Sequence, residues 1–181
     1  MAGGATRWES VSTPYLRPRA AGEPDAWSEE LAAREVAGSQ QLREVAEVAP
    51  PVEVAEGLGI SLGESVVVRR RVMLIDDQAV ELTDSYYPSK IASGTGLATA
   101  KKIRGGAVTL LAELGYEAGS VQEEISARPP TTDESAALDL ADGEWVLILS
   151  RLIRTTAGEP LEMSIMTMTA NGRRLRYQVS S

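Results

Sequence analysis

Residues 65–88, SVVVRRRVMLIDDQAVELTDSYYP, constrain this chain most. A run rich in β-branched residues, 66–75, meets Asp76-Asp77, which has the chemistry of a turn, and a second extended run, 79–87, follows. That pattern is a β-hairpin. The faces fix its register. With Asp76, Asp77 and Gln78 as the loop, Val72 faces Leu82 and Leu74 faces Val80. Arg71 then faces Thr83, Met73 faces Glu81 and Arg69 faces Ser85. One face is mostly apolar and the other carries the polar groups. A shorter loop, Asp76-Asp77 alone, would set Arg71 against Leu82 and Val72 against Glu81, and is rejected on that ground. Arg70 opposite Asp84 is a charge pair among apolar neighbours. Two readings of the Arg71/Thr83 face are open. It lines a small-molecule groove, or three consecutive arginines decorate a solvated sheet face, as antiparallel sheets commonly have.

A hairpin needs a core to lie on. The chain has 181 residues, 43% of them hydrophobic and 24% charged, enough for one globular domain with a core of its own. The net charge of −8 argues against nucleic acid as a partner, because phosphate binding needs a basic patch and RRR is too short and too strand-like to be one. Cysteine and histidine are both absent, which excludes disulfides, cysteine nucleophiles, histidine bases and nearly all zinc sites. The first 20 residues lack the apolar stretch of a signal peptide, and no run approaches 18 apolar residues, so no membrane association and a cytoplasmic location are expected.

Residues 1–24 scatter Gly, Pro and Arg without period and read as a linker or N-terminal arm, leaving 25–181 as the folded domain. A helix is expected to start at Asp25 as N-cap, with Trp27, Leu31 and Arg34 on one face. A strand over 40–49 stops at Pro50-Pro51, and a short helix over 52–58 ends at Gly59. After the hairpin, 91–104 is a loop region, 105–114 a helix ended by Gly115, and 120–128 a strand. A short helix spans 132–138, a second hairpin joins 145–155 to 159–168 around Ala157-Gly158, and 175–179 is a last strand.

Two segments of this layout resemble each other. Residues 58–71, LGISLGESVVVRRR, and 138–151, LDLADGEWVLILSR, share Leu58/Leu138, Gly63/Gly143, Glu64/Glu144, Val66/Val146 and Arg71/Arg151. The reading is an internal two-fold repeat of helix–hairpin units, giving an α+β fold: an open antiparallel sheet with flanking helices and a cleft between the halves.

The groups able to carry chemistry are strand arginines and carboxylates. An arginine is permanently charged and bidentate, which suits a carboxylate or phosphate ligand. Glu162, in the second hairpin, suits the hydroxyls or amines of a ligand; the alternative is that Arg71 and Glu162 pair across the sheet. Met163, Met166 and Met168 fit a core, or an adaptable apolar site. There is no phosphate loop, nucleophile elbow or metal-ligand spacing, and no cofactor is implied.

The ordered stretches PPVEVAEGLGISLGESVVVRRRVML, VELTDSYYP, GGAVTLLAELGY, EEISARPPTTDESAALDLADGEWVLILSRLIR and GEPLEMSIMTMTANGRRLRY resemble the UTRA domain. This is the effector-binding half of GntR-family, HutC-type bacterial transcription regulators, with a chorismate lyase-like fold. The resemblance implies a homodimer and a cleft for a small metabolite. It carries pocket positions over to Arg71, Thr83, Ser126, Glu162 and Met168, with Asp25 and Ala26 at the start of the first helix. Trp27, Arg69, Met73 and Arg128 join them as candidate ligand-binding residues. Sugar-phosphate sensors similar to this domain have arginine, glutamate and tyrosine where Met73, Thr83 and Met168 stand, so a more apolar metabolite with one carboxylate for Arg71 is expected. The family's winged helix-turn-helix is not seen, so the chain alone is not expected to bind operator DNA. A piece of a repressor, a stand-alone binding protein and an enzyme on the same fold all remain open. In the last case Arg71 would hold a carboxylate and Glu162 would act as acid or base, with Tyr86 or Tyr87 nearby.

Overall fold

The computed structural model describes residues 8–10, 17–20, 23, 26–32 and 38–177. The fold is α+β, built on one six-stranded antiparallel sheet. The strands are β2 (Gly38–Val48), β3 (Val66–Ile75), β4 (Gln78–Pro88), β5 (Ala118–Arg128), β6 (Val146–Thr155) and β7 (Pro160–Thr169), in the order β2-β3-β4-β7-β6-β5. The two hairpins thus meet along β4 and β7, with Thr83 opposite Met166 and Ser85 opposite Ser164.

Period-2 alternation sorts the sheet's two faces, and both are covered. Helices α2 (Val52–Leu58) and α5 (Thr132–Leu138) pack on one. Val54 and Leu58 meet Val66, Val68, Tyr86, Leu152 and Met163, while Leu138 meets Val146 and Ile148. On the other face lie α1 (Ala26–Ala32), α3 (Ser89–Ala92) and α4 (Ala107–Glu113). Trp27 and Leu31 of α1 pack on Met73, and Ile91, Leu97 and Leu111 pack with Val67, Tyr87, Ile153 and Leu161. The Arg71/Thr83 face is therefore not a solvated sheet face: Thr83 is 5% and Glu81 7% exposed.

The central hairpin keeps the expected pairs from Arg69↔Ser85 to Met73↔Glu81, but its turn differs. Ile75 pairs with Gln78 and Leu74 with Ala79, so the loop is Asp76-Asp77 alone. Both aspartates are left-handed, with φ of 47° and 62°, the backbone a tight two-residue hairpin turn requires. A bulge between Met73 and Leu74 on one strand, taken up at Val80 on the other, then restores the register that the short loop would have shifted.

Elsewhere α2 and α5 have the expected bounds. The 91–104 region is not only loop: it holds part of α3 and a 3-10 turn, Gly96–Ala98. The expected linker contains β1 (Trp8–Ser10), which pairs in parallel with β8 (Arg173–Leu175). That strand replaces the expected one at 175–179, of which residues 178 and 179 are not described. Asp25 and Arg34 lie outside the described residues, so the cap read at Asp25 does too. Among the described residues no helix is long and apolar enough to cross a membrane.

Candidate functional site

Arg71, Thr83, Glu162 and Ser164 stand on one face of β3, β4 and β7, because alternate side chains of a strand share a face. They form the floor of a cavity of about 110 Å³. Met73, Glu81, Met166 and Ile153 extend that floor. The roof comes from Trp27 of α1, from Arg17 and Arg19 before it, and from the 105–108 segment that opens α4. Gly105 and Gly106 have φ of 72° and 86°, a backbone that a side chain would strain, and this lets the chain turn into α4 directly over the sheet. A second cavity of about 100 Å³ shares Gln40, Arg71, Tyr87, Gly106 and Ala107 with the first, so Arg71 stands between the two.

The cavity's charges differ in how far the protein satisfies them. Arg151 binds Glu123 at 2.6 Å, and Arg19 pairs with Glu29. Glu81 receives the Thr83 hydroxyl at 2.8 Å and lies 3.3 Å from Arg173. Arg71 has no carboxylate partner among the described residues. It donates from Nη2 to the Ser85 hydroxyl at 2.8 Å, and its Nε is buried without a hydrogen-bond partner. The expected alternative, an Arg71–Glu162 pair, is not formed. A hydroxyl relay separates the two instead: Ser85 and Ser164 oxygens are 2.7 Å apart, and Ser164 donates to Glu162 at 2.5 Å. Burial and the neighbouring Glu162 carboxylate push the Tyr87 phenol up, so it stays neutral and able to donate. The site thus offers one under-satisfied guanidinium, a carboxylate at the far end of a short hydroxyl chain, and apolar walls. Among the described residues no group of three or more carboxylates could hold a metal ion.

Of the residues read from the sequence, Trp27, Arg71, Met73, Thr83 and Glu162 come together here. Ala26 opens α1, next to Trp27. Arg69 lines the second cavity, but its guanidinium is engaged. It donates to the carbonyls of Leu97 and Thr99 at 2.8 Å, of Lys101 at 2.8 Å and of Gly96 at 3.4 Å, which fixes the wall segment. Met168 is 1% exposed in a core cluster with Leu149 and Met166, and does not line the cavity. Ser126 and Arg128 are not part of it. Ser126 is exposed on edge strand β5 opposite Ile148, whose side chain packs on the α5 face, and Arg128 clasps Glu134 of α5 with two bonds of 2.7 Å. Neither Tyr86 nor Asp84 faces the cavity; with Arg70 they occupy the other face. The sequence reading missed Glu81, Ser164 and Arg151 as cavity groups. All three share a sheet face with Arg71 and Glu162, and Arg151 was already the match of Arg71 in the repeat.

This architecture is that of known proteins. The UTRA domain model matches residues 33–172. An HTH-type transcriptional regulator of Streptomyces coelicolor is 35% identical over 130 residues, which cover 70% of this chain and 48% of the relative. One of Mycobacterium tuberculosis is 32% identical over 136 residues, covering 72% and 46%. The chain spans about half the length of the curated relatives it matches. Among crystal structures, one assigned to a GntR-family transcriptional regulator superposes with a TM-score of 0.82 at 21% identity, covering 99% of this chain and 72% of that one. The effector domain of PhnF from Mycobacterium smegmatis superposes with a TM-score of 0.73 at 16% identity, covering 91% and 99%. By its match over most of its length, the chain belongs to the UTRA domain family of GntR-type transcription regulators.

Proposed function

We propose that this chain is an effector sensor that binds a small anionic metabolite at Arg71. The observation that carries the reading is the unbalanced guanidinium. Arg71 sits between two cavities, makes one hydrogen bond to the protein and leaves a buried Nε without a partner. Leaving such a group unpaired is costly, and an anionic ligand relieves that cost. The apolar walls of Trp27, Met73, Ile153 and Met166 suit a ligand with a hydrocarbon body. Glu162 and the neutral Tyr87 phenol suit a hydroxyl or amino group on it.

The HutC subfamily follows the sequence resemblance. A homodimer is supported by two open sheet edges, β2 and β5, and by the exposed Ile125 on the latter. The internal duplication is supported by the mirrored order β2-β3-β4 and β7-β6-β5 and by Arg71 and Arg151 both lining the cavity. Coupling to DNA belongs to the longer proteins it resembles, and is proposed only for a chain joined to such a segment.

The test is to purify the protein, denature it, and identify released small molecules by mass spectrometry. One enriched anionic compound is expected, rebinding the wild type in calorimetry. Arg71→Ala should weaken it about ten- to a hundredfold, the worth of a charge-assisted bond. Arg70→Ala should not, because Arg70 binds Glu44 and Asp84 on the opposite face. An anion that binds both variants alike would overturn the assignment to this cavity.

A further inference from the structure

We infer that the chain carries a second binding site, for a small organic cation with an apolar body, where the β3–β4 turn, the α5–β6 loop and the β7–β8 turn meet. The space enclosed there is about 550 Å³, against about 110 Å³ for the cavity of Arg71. It falls within the ~300–1,000 Å³ usual for small-molecule sites. Ile75, Val80, Leu138 and Leu140 give it an apolar floor. Trp145, also in its wall, is 53% exposed, which is a large aromatic surface left without a neighbour to cover it.

The charge lining this space decides the class of occupant. Asp76, Asp77, Asp139 and Glu144 line it, and the Glu144 carboxylate also accepts the Ala141 backbone N–H at 3.0 Å. The cation that lines it, Arg173, lies 3.3 Å from Glu81 and donates to the Val80 carbonyl, so its charge is directed into the protein. The walls are therefore anionic, the opposite of the cavity that presents Arg71. An indole face attracts a cation more strongly than the other aromatic rings do, and the carboxylates act in the same sense. A metal ion is the wrong occupant, since no three carboxylates among the described residues converge. The apolar floor asks for hydrocarbon. An ammonium on an aryl or alkyl body satisfies all three features at once. This inference stands apart from the effector reading, because it uses other residues and a ligand of opposite sign.

Phenethylammonium is the probe, with 2-phenylethanol as the neutral isostere and phenylacetate as the anion, titrated into the full chain by NMR. Phenethylammonium is expected to bind at least about tenfold tighter than either control, with an affinity that falls as salt rises. Trp145→Leu removes the exposed indole without opening the core. Asp77→Asn with Asp139→Asn removes two charges while keeping residues that accept the left-handed backbone. Each variant should weaken the ammonium about fivefold or more. Arg71→Ala should leave it unchanged, which separates this site from the effector cavity. Equal binding of the alcohol and the ammonium would overturn the proposal, as would ammonium binding indifferent to both variants. So would a wild-type dimer that Trp145→Leu splits, which would make a second copy the occupant of this face.

Discussion

The guanidinium of Arg173 lies 3.3 Å from the Glu81 carboxylate, and both side chains are almost completely buried, at 1% and 9% exposed. Glu81 lines the cavity of Arg71, and Arg173 lines the larger space beside Trp145. One ion pair therefore forms part of the partition between two cavities of opposite charge. It also ties β8 to β4, since Arg173 donates to the Val80 carbonyl at 3.0 Å.

Removing one partner of such a pair leaves the other as an uncompensated buried charge. Arg173→Met should cost about 3 kcal/mol in urea denaturation, because among the described residues the Glu81 carboxylate then keeps the Thr83 hydroxyl alone. Adding Glu81→Leu should recover much of that loss, since no buried charge remains. A single-variant cost under about 1 kcal/mol would mean that water reaches the pair and screens it.

The hairpin faces were legible because side-chain parity on a strand needs no tertiary information. Arg71, Met73 and Thr83 follow from it directly, whereas Glu162 came from the repeat and the resemblance. The turn was not legible, because Ala79 and Val80 are both apolar and alternation cannot show which of them is extruded in a bulge. The roof of the cavity was also illegible. Arg17, Arg19 and the 105–108 segment lie in stretches without hydrophobic period, and only the packing of α1 and α4 brings them over the sheet. Arg128 and Ser126 show the opposite limit. The resemblance put Ser126 in the pocket and Arg128 was read as a candidate beside it, yet a six-residue step along the chain gives Arg128 a carboxylate at Glu134, on the far face of the sheet. The partner that takes a charge out of a site is the hardest thing to read from a sequence.

That Arg128 clasp has a measurable pH signature. Thr131 and Glu134 form a capping box at the start of α5, and the Arg128 guanidinium beside Glu134, with the Thr131 backbone, holds its carboxyl down to about 2. A carboxylate whose value is lower folded than unfolded binds fewer protons in the folded state. Its stabilisation is whole above its ordinary value of 4.5 and is lost as pH falls from there through about 2. Glu134→Gln should flatten the stability profile across that window and cost roughly 1–2 kcal/mol at neutral pH, a cap and a partly exposed ion pair together. Denaturation at steps of pH would show it. A variant with the wild-type acid slope would place the titration elsewhere.

Arg69 should behave as a rivet, with no need of ligand to explain it. It is 5% exposed, and it donates to four carbonyls of the 96–101 segment from two nitrogens. Burial lowers its proton affinity, yet a guanidinium starts so high that the charge remains. Those carbonyls can turn to water only if the segment lifts away from β3. Arg69→Met should therefore cost about 2–3 kcal/mol, the range for bonds to a charged donor, and should open the segment locally before the sheet melts. Arg69→Lys should restore only part, because an ammonium has three donors at one point and cannot spread across carbonyls as a planar fork does. Hydrogen exchange reads this directly. Protection should fall over 96–108, which includes the Gly105–Val108 roof of the effector cavity, while β6 and β7 stay protected. Binding at Arg71 should weaken with it, even though Arg71 is untouched. If Arg69→Met exchanges over 96–108 as the wild type does, the four bonds do not hold that wall in place.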